Sequence, residues 1–365
     1  MTNQKNMLKV RQICFIYLAL MPATKLAIFP SFLANYAGGQ LWLSAIIGFA
    51  VDIAVLLLAI WLGKRHGDKT LYEIIKDSGG EWMAKALFIV YALFFLCKSA
   101  IPVIEQKAYI EKTLYEVMPR PFISYPLFIV SLYACLKSLK IFGRVADITV
   151  GITVVALIAA LFLSVPAGDY SNLLPIFQKP AYSVINGAFR SILWHSEGAY
   201  MLMFIGKFRK EKHYAKKIIL SYAGAAVTVV LFVAVFYAVY GPVSPSQTFA
   251  LPTVTIFSVN STNAGRMDFV AIFLLLVSQV FAIILPLYFC TDCLKQAFDL
   301  KTPLVPAICV NAVIALFSLF FGSKLQNVLE FSTKYLSYFI LAGSIGVTVL
   351  LTIFFRGRKY EVQKG

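Results

Sequence analysis

The feature that most constrains this chain is a series of apolar runs, each about 20 residues long and so able to cross roughly 30 Å of hydrocarbon as a helix. With 60% hydrophobic residues, the 365-residue chain exceeds the share of about half that is typical of soluble domains. Ten spans are predicted, at 12–35, 41–63, 84–111, 121–139, 143–164, 183–206, 217–241, 267–293, 303–322 and 332–355. No long polar segment separates them, so residues 1–365 are predicted to form one integral membrane domain.

The basic residues fall mainly on one side of these spans. Cytoplasmic loops retain Lys and Arg, and an amino terminus placed inside assigns about 23 basic residues to the inner side against about 6 outside. Both termini are therefore predicted to be cytoplasmic. The net charge of +16 follows from this topology and favours contact with anionic membrane lipids, not with nucleic acid.

The chain carries no pattern typical of an enzyme. It has no G-x-S-x-G elbow, no H-E-x-x-H helix and no G-x-x-x-x-G-K-[ST] loop. Cys290 and Cys293 form a C-x-x-C, but they lie in an apolar run without further Cys/His pairs, so we interpret them as packing residues. No catalytic activity, metal or cofactor is predicted.

The order of the spans predicts an internal repeat. Five spans (about 12–164) precede five more (about 183–356), and an odd number per half makes the second half enter the membrane from the opposite face. Several transporter folds are built from such inverted repeats, with the ligand site at the midplane between broken helices. The predicted fold is an all-α polytopic membrane protein with a 5+5 inverted repeat and breaks in helices 1 and 6.

Irregular residues occur at corresponding places in the two halves. The first span contains MPATK (Met21–Lys25), and the sixth reads NGAFRSILWHSEGAY (Asn186–Tyr200). Polar backbone freed by a break is tolerated in a membrane only where it lines a cavity or is buried in protein. Pro22 therefore either unwinds the first helix toward a ligand, or kinks it with the loss made good by Thr24 or by neighbouring helices.

Ionisable side chains inside the spans are candidates for function, because each is costly there. The predicted set is Lys25, Asp52, Lys98, Glu105, Lys107, Arg190 and Glu197, together with the imidazole of His195. Lys98, Pro102, Glu105 and Tyr109 recur at steps of four, three and four, which places them on one helical face directed into the bundle.

Several pairings remain open from the sequence. Glu105 can meet Arg190 across helices, and Asp52 can pair with Lys25 or with Lys98. Glu197, beside Gly198, either serves a proton-coupled or amine-recognising site or pairs structurally with Lys25 or Arg190. The outer segment 242–267 is predicted either to cover the entrance as a lid or to pack at the interface.

Short motifs along most of the chain occur in an order and spacing typical of one family. They are Arg11–Gln12, Phe29–Pro30, AGGQLWL from Ala37, Lys69–Tyr72, Gly79–Gly80, Met118–Pro119 with Pro121, IFGRVADI from Ile141, NGAF, SEGAY and Arg266–Asp268. In these the chain resembles the permease-like B subunits of bacterial spore-germination nutrient receptors, within the amino acid/polyamine/organocation superfamily.

The resemblance implies a LeuT-type fold with a pocket between spans one, three, six and eight. It implies an amino-acid-like ligand, which the backbone of Ala23 and Thr24 and the hydroxyl of Tyr109 would contact. The full set of predicted binding residues is Pro22, Ala23, Thr24, Lys25, Glu105, Tyr109, Trp194, Ser196, Glu197 and Gly198. The superfamily usually has small residues at the first break, so Pro22 and Lys25 depart from its pattern; Lys25 is either a tethered cation at an ion position or a partner for a ligand carboxylate.

Two functions from different classes follow. The first is a receptor subunit in the spore inner membrane that binds a nutrient and signals to a soluble-headed membrane subunit and a lipoprotein. The second is an autonomous, proton-coupled transporter of amino acids or organic cations that uses Glu105 and Glu197. A membrane scaffold is a weaker third interpretation, because it gives the buried charges no role.

Overall fold

A computed structural model describes residues 7–113, 120–174, 179–259, 268–322 and 324–354. The motif residues Met118–Pro119 and Arg266–Met267, and the chain termini, lie outside these ranges. The helices used below are α1 (Val10–Lys25), α2 (Phe29–Ala37), α3 (Leu41–Arg65), α4 (Leu71–Thr113), α5 (Arg120–Cys135), α6 (Leu139–Ser164), α7 (Ala181–Arg190), α8 (Tyr200–Phe204), α9 (Tyr214–Tyr240), α10 (Ala250–Val259), α11 (Asp268–Ala297) and α12 (Leu304–Phe321).

A C-terminal helical stretch, Leu325–Phe354, completes the described chain and contains two π-helical turns. Six helical stretches among the described residues are long and apolar enough to cross a membrane: Phe29–Arg65, Leu71–Glu111, Leu139–Ala167, Tyr214–Ser246, Leu304–Phe321 and Leu325–Phe354. A helix satisfies its backbone hydrogen bonds internally, which is the condition for crossing hydrocarbon. The prediction of an all-helical, membrane-embedded protein is confirmed.

Helix α1 lies at the centre of the bundle. It packs against α6, α9 and α11, and α4 packs along α11. Twelve of the 16 residues of α1 are buried, whereas large apolar side chains such as Ile129, Val155 and Phe320 are exposed on the outer helices. Exposed apolar surface of this kind suits contact with lipid. The buried charges described below are therefore shielded from lipid and from water.

The first hydrophobic run is interrupted at residues 26–28, after α1 and before α2. The helix does not unwind at Pro22 itself: the N–H of Leu26 still donates to the Pro22 carbonyl at 3.1 Å. Pro22 has no N–H to donate, and the hydroxyl of Thr24 donates to the Leu20 carbonyl at 3.1 Å. Ala23 and Thr24 consequently lie within the last turns of α1, not in an unwound segment.

The carbonyls freed by this interruption are bonded by a distant helix. The N–H groups of Ala250 and Leu251 donate to the carbonyls of Ala27 and Leu26 at 2.8 and 3.1 Å. The first N–H groups of any helix lack partners within it, so the start of α10 supplies donors where the end of α1 supplies acceptors. The described part of the predicted lid thus attaches to the interruption; residues 260–267 lie outside the described chain.

A second interruption separates α7 from α8. Two 3₁₀ turns, Ser191–Leu193 and Glu197–Ala199, flank a short non-helical segment. Within it Ser196 has φ 80°, in the left-handed region that a residue with a side chain rarely occupies. Such a conformation costs about 1–3 kcal/mol and persists only where the surrounding contacts impose it.

Candidate ligand site at the helix interruptions

A buried ion pair joins the two interruptions. Lys25, the last residue of α1, places Nζ 2.8 Å from Oε2 of Glu197, and both side chains are 0% exposed. The Thr24 hydroxyl lies 3.2 Å from Lys25 Nζ and 3.3 Å from Oε1 of Glu197. Of the pairings open from the sequence, Glu197 therefore takes Lys25.

A second ammonium reaches the same segment from α4. Lys98 Nζ donates to the Leu193 carbonyl at 2.9 Å and also to the carbonyl of His195. It lies 3.8 Å from Oε1 of Glu197. Backbone acceptors freed between α7 and α8 are thus satisfied by a charged donor, which makes a stronger hydrogen bond than a neutral one.

Two helical turns further along α4, the carboxyl of Glu105 contacts Trp194. The indole Nε1 of Trp194 donates to Oε1 of Glu105 at 2.8 Å, and the ring packs on Phe32 with centroids 4.8 Å apart. The side chains of Lys98, Glu105 and Tyr109 are all buried, as their spacing predicted. Helix α4 therefore fixes residues 193–195 at two points, through Lys98 and through Glu105.

One predicted contact is replaced by another. Arg190 does not meet Glu105: its Nε donates to Oδ1 of Asn186 at 3.2 Å. The difference arises because the interrupted sixth segment turns Trp194, and not Arg190, toward Glu105 on α4. Tyr109, two positions beyond Lys107 on the same helix, packs its ring edge-on against Phe249, immediately before α10, at a centroid distance of 5.2 Å.

Asp52 also has different partners from those predicted. Its Oδ1 accepts the backbone N–H of Gly198 at 2.9 Å, and its Oδ2 accepts the hydroxyl of Tyr222, so it pairs with neither Lys25 nor Lys98. A Cβ at position 198 would overlap the backbone carbonyl oxygen of Asp52. Glycine at 198 is therefore required by the close approach of α3 to the turn that carries Glu197.

His195 lies outside the predicted site set but borders the ion pair. Its ring packs edge-on against Phe29 and Phe49, at centroid distances of 5.5 and 4.7 Å. Within the described chain neither ring nitrogen has a hydrogen-bond partner. A Cβ at Gly48 would overlap the imidazole, so a glycine on α3 makes room for it. The sequence signals for a role beyond packing were its place inside the second irregular segment and its being an ionisable residue within a span.

Three further predicted residues, Pro22, Ala23 and Ser196, lie in the same two chain segments as Lys25 and Glu197. Pro22 and Ala23 lie within one turn of Lys25, and the Ser196 hydroxyl is 3.5 Å from the Ile192 carbonyl. Chemically, the centre offers the buried carboxylate of Glu197 with the buried ammonium of Lys25 as its close partner and that of Lys98 at 3.8 Å. A small solute carrying both charges can exchange with this pair without leaving either side chain unpaired.

The protein is a helical membrane protein with buried charges between interrupted helices, an arrangement that also occurs in transporters. The crystal structure of MhsT in complex with L-phenylalanine superposes with a TM-score of 0.71 at 17% identity, covering 94% of this chain and 88% of that one. This likeness shows a LeuT-type fold.

The sequence family described as "Spore germination protein" (spore permease) matches residues 7–327, so the chain belongs to that family. Three Bacillus subtilis (strain 168) proteins are each 21% identical. Spore germination proteins A2 and KB match over 82% of this chain and over 82% and 81% of their own lengths; spore germination protein YndE matches over 49% of each. The resemblance inferred from the motifs is confirmed.

Proposed function

We propose that this protein is a germinant-receptor subunit that binds an amino acid or similar small solute where Lys25 meets Glu197. Membership of the spore germination family supports the biological role. The observation that carries the binding proposal is the fully buried ion pair between the two interrupted segments. Residues proposed to line the site around it are Pro22, Ala23, Thr24, Glu105, Tyr109, Trp194, Ser196 and Gly198.

The ion pair suggests how such a ligand is recognised. The ammonium of an amino acid takes the place of Lys25 at Glu197, while its carboxylate takes the place of Glu197 at Lys25. Because Lys25 ends α1 and Glu197 lies between α7 and α8, the exchange separates the two segments. Binding thereby favours a second arrangement of the helices by its greater affinity for that arrangement, which is the requirement for a signal.

The proposed architecture has ten spans in two inverted halves, about 12–164 and about 183–356, as one domain. In it the interruptions at 26–28 and 191–199 are the breaks of the first and sixth spans. Both termini are cytoplasmic, in the inner membrane of the spore. The partners proposed to receive the signal are a soluble-headed membrane subunit and a lipoprotein.

A second function is an autonomous proton-coupled transporter. The observation that favours it is the likeness of fold to MhsT, whose crystal structure contains L-phenylalanine. Two buried carboxylates, Glu105 and Glu197, are available as proton carriers.

One experiment separates the two functions: incubating the purified protein in proteoliposomes with pooled labelled amino acids, with and without an inward proton gradient. Saturable binding without uptake, lost in Lys25→Met and retained in the control Lys216→Met, an exposed lysine at the start of α9, supports the receptor. Uptake driven by the gradient supports the transporter. If neither binding nor uptake occurs in folded protein, the amino-acid ligand is rejected.

A further inference from the structure

A basic cavity lies at the amino-terminal end of α1, far along the helix from the ion pair. Its volume is about 660 Å³. Two acidic and six basic side chains line it, an excess of four formal positive charges; the basic ones are Lys9, Arg11, Lys140, Arg144, Arg209 and Lys210. These basic residues come from three separate stretches of chain. The positive-inside rule places basic residues on one side of the membrane, but it does not require them to line one cavity.

Only part of this charge is neutralised. Arg11 contacts Asp147 at 3.3 Å, and Lys210 contacts Asp68 at 3.6 Å. Within the described chain, no carboxylate forms an ion pair with Arg144 or Arg209.

The helix ends add to the positive potential. Both α1 and α6 begin at the cavity, and neither has an acidic residue in its first turn. The amino end of a helix carries a partial positive charge that favours anions and disfavours Lys and Arg. Arg11 and Lys140 in these first turns add to the positive potential at the cavity, of which Asp147 neutralises a part.

Hydrogen bonds join the chain stretches that line the cavity. The Leu8 N–H donates to the Lys207 carbonyl at 3.0 Å, and the Arg209 N–H donates to the Leu8 carbonyl at 2.8 Å. Gln12 adds a hydrogen bond from its Nε2 to Asp147 Oδ2 at 3.1 Å. The start of α1 is thereby joined both to the loop after α8 and to α6.

We propose that this cavity binds a phosphate-type anion, either the headgroup of an anionic phospholipid or a free phosphate. Bound there, the anion bridges the amino ends of α1 and α6 and the loop at residues 209–210. The proposal is independent of the ligand assigned to Lys25 and Glu197.

The test uses the full chain in neutral detergent with two probes: phosphatidylglycerol, measured by native mass spectrometry against phosphatidylcholine, and inorganic phosphate, measured by thermal shift against chloride at equal ionic strength. The cavity variant is Arg144→Gln/Arg209→Gln. The matched control is Lys216→Gln/Lys301→Gln, which removes two exposed basic residues that do not line the cavity.

The cavity variant is expected to bind phosphatidylglycerol about thirtyfold more weakly, since each basic residue near a membrane surface contributes roughly fivefold. The control is expected to retain the affinity of the unmodified chain. If the cavity variant loses only phosphatidylglycerol binding, the ligand is the lipid headgroup. If it loses the thermal shift caused by phosphate, the ligand is the free anion. Equal binding by the cavity variant and the control, with both probes, would overturn the proposal.

Discussion

Replacing Lys25 by methionine should destabilise the protein by less than replacing Glu197 by glutamine. Removing one partner of a buried ion pair costs about 3–5 kcal/mol, because the other charge stays buried and unpaired. In Lys25→Met, Lys98 still lies 3.8 Å from Glu197 and compensates in part, which favours the lower value. Glu197→Gln leaves two buried ammonium groups without their carboxylate, which favours the upper value.

These free energies correspond to measurable shifts in melting temperature. An unfolding entropy of about 2.1 cal/mol/K per residue gives roughly 0.8 kcal/mol/K for a chain of 365 residues. The expected shifts are then about 4 °C for Lys25→Met and about 6 °C for Glu197→Gln. Tryptophan fluorescence or a thiol-reactive dye can follow unfolding of the detergent-solubilised protein, all variants at one heating rate.

The melting temperature of the double variant Lys25→Met/Glu197→Gln decides whether the two residues are coupled. This variant should melt at a higher temperature than Glu197→Gln, because it leaves one buried ammonium, that of Lys98, without the carboxylate, where Glu197→Gln leaves two. The matched control is the half-exposed pair Lys69–Asp77, 2.7 Å apart, for which the same cycle should give a coupling of about 1 kcal/mol or less. If the two central substitutions are simply additive, Lys25 and Glu197 are not coupled and the reasoning fails.

Three further outcomes are expected. Gly198→Ala should cost about 2 kcal/mol or more because its Cβ overlaps the α3 backbone, whereas Gly224→Ala, with nothing within 4 Å, should be neutral or stabilising; equal melting temperatures would contradict this. Trp194→Phe deprives the buried Glu105 carboxyl of its donor and should lower stability by about 1–3 kcal/mol, again read from melting. Burial and two neighbouring basic side chains lower the pKa of His66, so the unfolded chain takes up the proton first and stability falls as the pH drops through about 6.5. His66→Gln should remove that part of the acid sensitivity, and an unchanged pH profile would refute it.

The sequence predicted the features that depend on local pattern. Runs of apolar residues gave the membrane-embedded helices, and the spacing of Lys98, Glu105 and Tyr109 gave one buried face. The motif order gave the family. Residues in MPATK and SEGAY did meet, as Lys25 and Glu197.

The partners of the buried charges were beyond the sequence, because they depend on the register between helices. Asp52 bonds the N–H of Gly198, 146 residues away, and no local pattern marks such a contact. The position of the first interruption has a similar cause. The interruption falls after Lys25 and not at Pro22. After Lys25, the N–H groups at the start of α10 can reach the freed carbonyls.

That attachment of α10 to residues 26 and 27 is made by backbone atoms alone. A substitution at 250 or 251 therefore keeps both donors unless it introduces proline, although both side chains are buried and their size is limited by packing. The ring contact between Tyr109 and Phe249 lies next to this junction. The attachment of α10 to the end of α1 thus does not depend on the chemistry of the side chains that pack around it.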